Sequence, residues 1–258
     1  MKAPLFSIIT VVRNARRTVV GCLDSIVSQK MDLEHIVVDG ASTDGTLEVL
    51  WDYEARGHIR LISEPDKGIY DAMNKGLKAA RGQIIAFLNA DDVYAHADAL
   101  KRVARGFEDG EVMACYGDLV YIDKHNHSRV TRYWRAGELS RAAFYRGWMP
   151  PHPTFFARAQ VYRRYGDFNL ALGSAADYEL MLRFLLKHQL PARYIPEVLV
   201  QMRSGGVSNA SLRSRLAANR MDRLAWQVNG LQPYPWTLTL KPLLKLPQFF
   251  LQRPTCSN

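Results

Sequence analysis

The first ninety residues alternate between short apolar runs and segments with helical spacing, and this alternation limits the fold more than any other feature. The apolar runs, rich in β-branched residues, lie at 5–12, 34–39, 59–63 and 84–88. Between them, apolar residues recur every three or four positions, as they do over 15–29, 46–55 and 69–80. Strands that alternate with helices through short links form a parallel sheet with helices on both faces. The chain is therefore predicted to be an α/β protein with a mostly parallel sheet.

Polar or acidic residues follow three of these strands, at 10–14, 39–44 and 89–92. The carboxyl ends of parallel strands share one edge, where open α/β sheets bind ligands. At the last of these ends, Asp91 and Asp92 are adjacent, and such carboxylates repel each other unless they share a cation. A divalent metal carrying a diphosphate suits them, because Mg²⁺ usually takes one or two carboxylates plus substrate phosphates. A strand end followed by a turn and a helix cap is the alternative.

Two common nucleotide-binding signatures are missing. No Gly-x-Gly-x-x-Gly follows the first strand, and there is no Gly-x-x-x-x-Gly-Lys-Ser/Thr, which disfavours dinucleotide oxidoreductases and P-loop ATPases. A nucleotide could instead be held by carboxylates. Asp39 ends the second strand, and an ionised carboxylate accepts hydrogen bonds from a base or from sugar hydroxyl groups. Its alternative role is to cap its own loop.

The second part of the chain is much more basic than the first. Residues 1–128 contain 15 Lys and Arg against 19 Asp and Glu, a net charge of −4, whereas residues 129–258 contain 19 against 6, a net charge of +13. This asymmetry suggests a phospholipid surface, a phosphorylated acceptor or nucleic acid as a partner. A solvated basic face with no partner is the alternative.

The segment 231–258 is aromatic and basic and too short to span a bilayer, since Pro242 and Pro247 interrupt it. That composition suggests a segment at the membrane interface, or else a tail packed on the domain. The three scattered cysteines and the missing signal-peptide pattern favour a reduced protein of the cytoplasm. We therefore expect a cytoplasmic location with peripheral contact at the inner membrane face.

Two side chains of the second part are further candidates for chemistry. Asp177 lies in the first turn of a predicted helix with Ser174 as its N-cap, where the helix dipole favours the ionised carboxylate. An ionised carboxylate at a pocket edge is a candidate general base, and an ordinary helix-start Asp is the alternative. His152, between Pro151 and Pro153, could reach a phosphate or an acceptor hydroxyl, or pack as a structural histidine.

Five blocks of the sequence resemble family 2 glycosyltransferases and occur in that family's order. They are Phe6–Asn14, Val37–Thr46, Ser63–Gly76, Ala79–Gly82 and Phe87–Asp92. The resemblance covers about residues 5–209 and points to the bacterial branch that builds cell-surface polysaccharide, including colanic-acid-type enzymes. It implies a GT-A fold in one domain, 1–230, with a nucleotide-sugar-binding half (1–110), an acceptor-binding half (111–230) and then the tail 231–258.

The resemblance also implies which residues of the first half hold the nucleotide. Thr10, Val12 and Asp39 match positions that hold the nucleoside in the family, and Asp66 and Lys67 match the next loop that contacts the nucleotide. We expect Asn14, which ends the first block, to join them.

In the same comparison, Asn89-Ala90-Asp91 matches the family's Asp-x-Asp motif with Asn in first place, a position that faces ribose more than metal. The metal, Mg²⁺ or Mn²⁺, is therefore expected mainly at Asp91, with Asp92 beside it. Asp177 matches the catalytic base, although Ala176 stands where a Glu is usual.

The implied activity is transfer of a sugar, with inversion, from a nucleotide-sugar donor, usually a UDP-sugar, to a hydroxyl of a glycan acceptor. The basic second half and the tail suit a polyprenyl-diphosphate-linked acceptor at the membrane, and we expect no nucleic-acid partner. A metal-dependent nucleotidyltransferase is one alternative, but its Gly-rich N-terminal loop with a following Arg/Lys cluster is missing. A basic nucleic-acid-binding module is another, and it would leave the acidic strand ends unexplained.

Overall fold

The computed structural model describes residues 2–124, 126, 128–203, 212–244 and 247–249. Within these ranges, nine strands form one sheet: β1 Phe6–Val12, β2 Leu33–Asp39, β3 Arg60–Ser63, β4 Ile84–Phe87, β5 Val93–Tyr94, β6 Ala114–Ile122, β7 Val130–Trp134, β8 Phe156–Arg158 and β9 Ala192–Arg203. The α-helices of the described part are α1 Val19–Val27, α2 Thr46–Ala55, α3 Ile69–Ala79, α4 Ala99–Gly106, α5 Arg141–Phe144, α6 Ala159–Tyr165, α7 Ala176–Met181, α8 Leu212–Val228 and α9 Thr237–Leu243.

The strands follow the order β3-β2-β1-β4-β8-β6-β9-β5, and β7 pairs with β6 outside this path. The first four strands in this order are parallel to one another, as predicted, and β6 is parallel to β9. Between them, β8 runs antiparallel to both β4 and β6. Two antiparallel steps restore the original direction, so β1, β2, β3, β4, β6 and β9 all end along one edge, which we call the carboxyl edge.

Alternate residues of β1 enter different cores, because successive side chains of a strand point to opposite faces. Ile9 and Val11 belong to the cluster that includes α3 and α7, whereas Phe6 and Ile8 belong to the cluster that includes α1 and α4. All seven residues of β1 are buried. This two-sided burial explains why the strand is a continuous apolar run rather than an alternating one.

The predicted start of α7 was wrong. Its N-cap is Ala175, whereas Ser174 lies in a preceding 3-10 turn, Leu170–Ala175, in which Gly173 has a φ of 49°. That turn has its own cap, since Asn169 Oδ1 accepts a hydrogen bond of 3.1 Å from the backbone N–H of Ala171. The chain therefore turns once more before the helix begins, and Asp177 becomes the second helical residue.

The described part of the tail packs on the domain. Thr237 donates a hydrogen bond of 2.5 Å to the carbonyl oxygen of Tyr145, and Lys241 Nζ lies 2.7 Å from Asp222 Oδ2. Outward from these contacts, the side chains of Trp236 and Leu243 are 53% and 55% exposed. No helix among the described residues is long and apolar enough to cross a membrane.

Candidate active site

The loops after β1 and β2 are joined by Asn14. Its backbone N–H donates to Ser42 Oγ at 2.8 Å, and its side-chain Oδ1 accepts from the backbone N–H of Thr43, also at 2.8 Å. Asn14 has a φ of 53°, a left-handed conformation that Asn tolerates better than most residues. Asn14 therefore holds the loops after β1 and β2 together at the carboxyl edge.

Asp39, at the end of β2, is fully buried and keeps one oxygen unpaired. Its Oδ2 accepts hydrogen bonds from the Ser42 backbone N–H at 3.1 Å and from Ser63 Oγ at 2.8 Å. Its Oδ1 is buried without a hydrogen-bond partner. An unsatisfied buried polar group costs about 1–3 kcal/mol. Asp39 thus caps its loop with one oxygen, and the other suits an N–H or O–H group of a ligand.

Asp66 lies directly over the Asp39 loop. A methyl group at Gly40 would collide with the Asp66 carboxylate, so the close approach needs a glycine there. Asp66 Oδ1 accepts a hydrogen bond of 2.8 Å from the Gly68 backbone N–H, and the backbone N–H of Lys67 donates to Asp71 Oδ2 at 3.0 Å. The loop before α3 is thereby held at the same edge, with the Lys67 side chain exposed.

Two of the predicted nucleoside contacts point their side chains into the core. The hydroxyl of Thr10 lies 2.9 Å from Nε2 of His35 and 3.8 Å from Sγ of Cys22. Val12 is buried in the apolar cluster that contains Val37. The side chains of Thr10 and Val12 are therefore buried against neighbouring elements of the sheet and its helices.

The turn after β4 brings Asn89 and Asp92 together. The backbone N–H of Asp92 donates to the Asn89 carbonyl oxygen at 3.0 Å, and Asn89 Nδ2 donates to Asp92 Oδ2 at 3.3 Å. Oδ1 of each residue is buried without a hydrogen-bond partner. Burial, followed by the charge of Asp91, raises the pKa of Asp92 well above its usual value, while hydrogen bonds from Asn89 and Arg203 oppose that shift. This turn therefore presents oxygen atoms that lack donors.

A divalent cation fits these oxygens, although the described residues do not supply a complete set of ligands for it. Within the described ranges, no group of three or more His, Cys, Asp or Glu side chains is placed to hold a metal. Mg²⁺ needs no such cage, because it usually binds one or two carboxylates and completes its shell with substrate phosphates and water. Asp91, with Asp92 and the free Oδ1 of Asn89, supplies a donor set of that kind.

Asp177 receives hydrogen bonds from several directions. Its Oδ1 accepts from the backbone N–H of Tyr178 at 2.7 Å, and its Oδ2 lies 3.2 Å from Nδ1 of His152. The Tyr70 side chain lines the same cavity as Asp177, and burial, followed by the charge of Asp177, raises the pKa of Tyr70. His152, whose role the sequence left open, is thus a direct neighbour of the predicted base.

A small apolar cavity of about 40 Å³ opens beside this carboxylate. The apolar side chains around it include Phe87, Phe155, Tyr162, Phe168, Leu180 and Met181. Phe87 is the last residue of β4, two positions before Asn89, and Tyr70 follows the Asp66–Lys67 loop. The cavity beside the predicted base is therefore lined by residues that lie next to the acidic turn and to the loop before α3 along the chain.

Sequence reasoning missed Tyr70 and Ser63 as members of this site. Tyr70 falls inside the Ser63–Gly76 block, but an aromatic residue at the start of a helix is usually a core residue. Only its position beside Asp177 distinguishes Tyr70 from an ordinary core residue.

Comparison with known proteins gives this arrangement a family context. The family model for glycosyl transferase family 2 matches residues 7–167. A PGL/p-HBAD biosynthesis glycosyltransferase of Mycobacterium bovis BCG is 37% identical over 213 residues, which cover 81% of this chain and 81% of that protein. The hyaluronan synthase of Pasteurella multocida is 29% identical over 188 residues, 70% of this chain but 19% of the synthase.

Solved structures share the fold at low sequence identity. S. aureus TarS 1–349 in complex with UDP-GlcNAc superposes with a TM-score of 0.70 at 19% identity, covering 91% of this chain and 69% of that one. The mannosyltransferase PcManGT from Pyrobaculum calidifontis, in complex with GDP-Man and Mn²⁺, gives a TM-score of 0.65 at 20% identity, covering 95% and 70%. These matches agree with the predicted GT-A fold.

Proposed function

Because this chain belongs to glycosyl transferase family 2, we propose that it transfers a sugar from a UDP-sugar to a hydroxyl of a glycan acceptor, with inversion at the anomeric carbon. The proposal rests on one observation above all. Unpaired buried oxygens of Asp39, Asn89 and Asp92 lie at the end of β2 or just after β4, and the cavity beside Asp177 is lined by Phe87, the last residue of β4. Neither a nucleotidyltransferase nor a nucleic-acid-binding module needs a half-buried base beside such strand ends.

The donor site is built from the loops of residues 1–110. Oδ1 of Asp39 accepts a hydrogen bond from the base or the ribose, and Asp66 and Lys67 close over the same loop. Nucleotide sugars in the TarS and PcManGT complexes support this class of donor. The choice of uridine follows the family resemblance.

Asp91, with Asp92 beside it, would hold Mg²⁺ or Mn²⁺ against the diphosphate of the donor, and Asn89 would face the ribose. When bound, the cation neutralises charge that develops on the departing diphosphate. The buried oxygens Oδ1 of Asn89 and Asp92 gain a partner in this arrangement, which offsets the cost of burying them.

Asp177 acts as the general base. Its carboxylate takes the proton from the acceptor hydroxyl while the acceptor oxygen bonds to the anomeric carbon. The bond from that carbon to the phosphate oxygen breaks on the opposite face, and its electron pair leaves with the nucleoside diphosphate. One displacement of this kind inverts the anomeric configuration.

The test compares two variants of the full chain. Asp177→Asn should lower kcat by about 10²–10⁴-fold, the usual contribution of a general base, while calorimetry still detects UDP binding. Asp91→Ala should instead abolish the Mn²⁺-dependent part of UDP binding. Normal turnover by Asp177→Asn would remove Asp177 from the mechanism.

We further propose that the acceptor glycan is linked to a polyprenyl diphosphate and that the enzyme works in the cytoplasm, in peripheral contact with the inner membrane face. The basic composition of residues 129–258 and the exposed Trp236 and Leu243 support this part of the proposal. The mycobacterial relative is named a PGL/p-HBAD biosynthesis glycosyltransferase, which agrees with a role in biosynthesis.

Vesicle flotation tests the membrane contact directly. The wild-type chain should float with anionic phospholipid vesicles and not with neutral ones. The double variant Trp236→Ala, Leu243→Ala should lose most of that binding and keep its activity on a soluble acceptor. Equal flotation of the variant would remove the tail from the membrane contact.

A further inference from the structure

We propose that Tyr70 and His152 are positioning residues that hold the Asp177 carboxylate from two sides and connect it to the donor loop. The inference rests on the proposed function, in which Asp177 is the general base. Its basis is geometric, because Nδ1 of His152 lies 3.2 Å from Asp177 Oδ2 and Tyr70 lines the same small cavity as that carboxylate.

Tyr70 provides the link to the donor side. It is the second residue of α3, which begins immediately after the Asp66–Lys67 loop. Its neighbour Asp71 accepts a hydrogen bond of 3.0 Å from the Lys67 backbone N–H, so the loop and the helix start are joined. Tyr70 in turn lines the cavity beside the Asp177 carboxylate. A donor that orders the Asp66–Lys67 loop therefore also fixes a side chain next to the base.

His152 provides a rigid support from the second half. Pro151 and Pro153 restrict the backbone on both sides of it, because each proline ring fixes its own φ. The turn that carries it is attached to β6 by the buried Thr154, whose hydroxyl donates to the Gly117 carbonyl oxygen at 2.8 Å. With its proton on Nδ1, the imidazole donates to Asp177 Oδ2 over 3.2 Å.

The position of Asp177 matters because the wall around it is largely apolar. A carboxylate there rotates toward whatever donors it finds; His152 and the Tyr178 backbone N–H supply them, and Tyr70 lines the cavity beside them. A general base must stay within hydrogen-bond reach of the proton it removes. Misplacement by about 1 Å can cost 10²-fold in rate.

The experiment measures kcat and donor affinity separately for three single variants. Tyr70→Phe and His152→Ala should each lower kcat about 10-fold at saturating substrates, with UDP affinity by calorimetry changed less than 2-fold. His152→Asn should recover most of the lost kcat, since its side-chain amide replaces the Nδ1–H donor. A purely structural role of His152 predicts no such recovery.

Two matched controls separate positioning from general loss of a side chain. Tyr53→Phe removes a hydroxyl that lies outside the site and donates to the Asp24 carboxylate at 2.5 Å. His58→Ala removes an exposed histidine. Both should keep wild-type kcat.

Three results would overturn the inference. Full activity of Tyr70→Phe and His152→Ala, beside an inactive Asp177→Asn, would leave the base in place and remove both positioning residues. Equal loss in His152→Asn and His152→Ala would exclude the donor role of Nδ1. Normal turnover by Asp177→Asn would reject the proposed function itself, which is a different signature from the other two.

Discussion

Buried polar groups in residues 1–110, called the first half here, are hydrogen-bonded less completely than those in residues 111–230, called the second half. Among the described residues, four buried side-chain atoms lack a hydrogen-bond partner, and all lie within the first 92 residues: His35 Nδ1, Asp39 Oδ1, Asn89 Oδ1 and Asp92 Oδ1. Three of them follow strands at the carboxyl edge. The first half therefore keeps polar atoms unsatisfied at the place where a ligand would meet them.

The second half satisfies its buried acids internally. Asp118 accepts hydrogen bonds from the hydroxyls of Tyr133 and Tyr194, at 2.5 and 2.8 Å, and from the backbone N–H of Ala136 at 2.8 Å. A buried carboxylate with three donors stabilises the fold that surrounds it. The contrast teaches that a buried acid can either stabilise the fold or be available to a ligand. An oxygen without a hydrogen-bond partner indicates the second use.

Glu179 is the second such acid and should give the largest effect on stability. Its carboxylate holds the largely buried Arg183 through two bonds of 2.9 Å and accepts from Asn229 at 3.0 Å. Glu179→Ala leaves that guanidinium without its counter-charge, although the carbonyl oxygens of Tyr165 and Asp167 still accept from it, so the free energy of unfolding should fall by about 3–5 kcal/mol. Urea unfolding measures it, with the exposed Glu108→Ala as control. A loss below 1 kcal/mol would contradict the idea that the second half depends on internal pairing.

His35 should make the first half sensitive to acid. Burial lowers the pKa of His35 to about 3, against about 6.5 for the unfolded chain. Below pH 6.5 the His35 side chain is protonated in the unfolded state but stays neutral in the folded state. The free energy of unfolding should therefore fall by about 1.4 kcal/mol per pH unit toward pH 3. Above pH 6.5 both states are neutral, and this contribution is constant.

Urea unfolding at pH 7, 6 and 5 measures this slope. His35→Gln should remove one proton's share of it, whereas His58→Ala, which alters an exposed histidine, should keep the wild-type slope. Identical slopes for wild type and His35→Gln would show that the buried imidazole does not set acid stability.

Asp39→Asn should have the smallest effect on stability and the clearest effect on binding. The amide oxygen can still accept from Ser42 and Ser63, while the NH₂ group replaces the unpaired Oδ1. The free energy of unfolding should stay within about 1 kcal/mol of wild type. UDP with Mn²⁺ at 100 times its Kd should stabilise the wild type by about 2.7 kcal/mol and the variant hardly at all.

The same substitution in the second half is the control. In Asp118→Asn, an NH₂ group must face donors where an oxygen accepted them, so stability should fall by about 1–3 kcal/mol. UDP should still stabilise this variant. Should the two Asp→Asn variants lose equal stability, the distinction between the halves disappears.

Local pattern was enough for most of the first half. The predicted helix at 46–55 agrees with α2 to the residue, and β1, β2 and β3 lie within one residue of their predicted bounds. Periodicity and strand-ending residues act over a few positions, so they are visible in the sequence. Other elements were missed, among them α4 and α6, which are short and carry charged side chains on their exposed faces.

The sequence by itself determined the α/β class, the acids after parallel strands and the family, because each is written in residues close together along the chain. Only the tertiary structure decided that β8 enters the sheet antiparallel between β4 and β6. Only the tertiary structure brought Tyr70 and His152 next to Asp177, and the Thr10 hydroxyl next to His35. Such contacts depend on how distant segments pack, and the same tyrosine or histidine would suit a plain core position equally well.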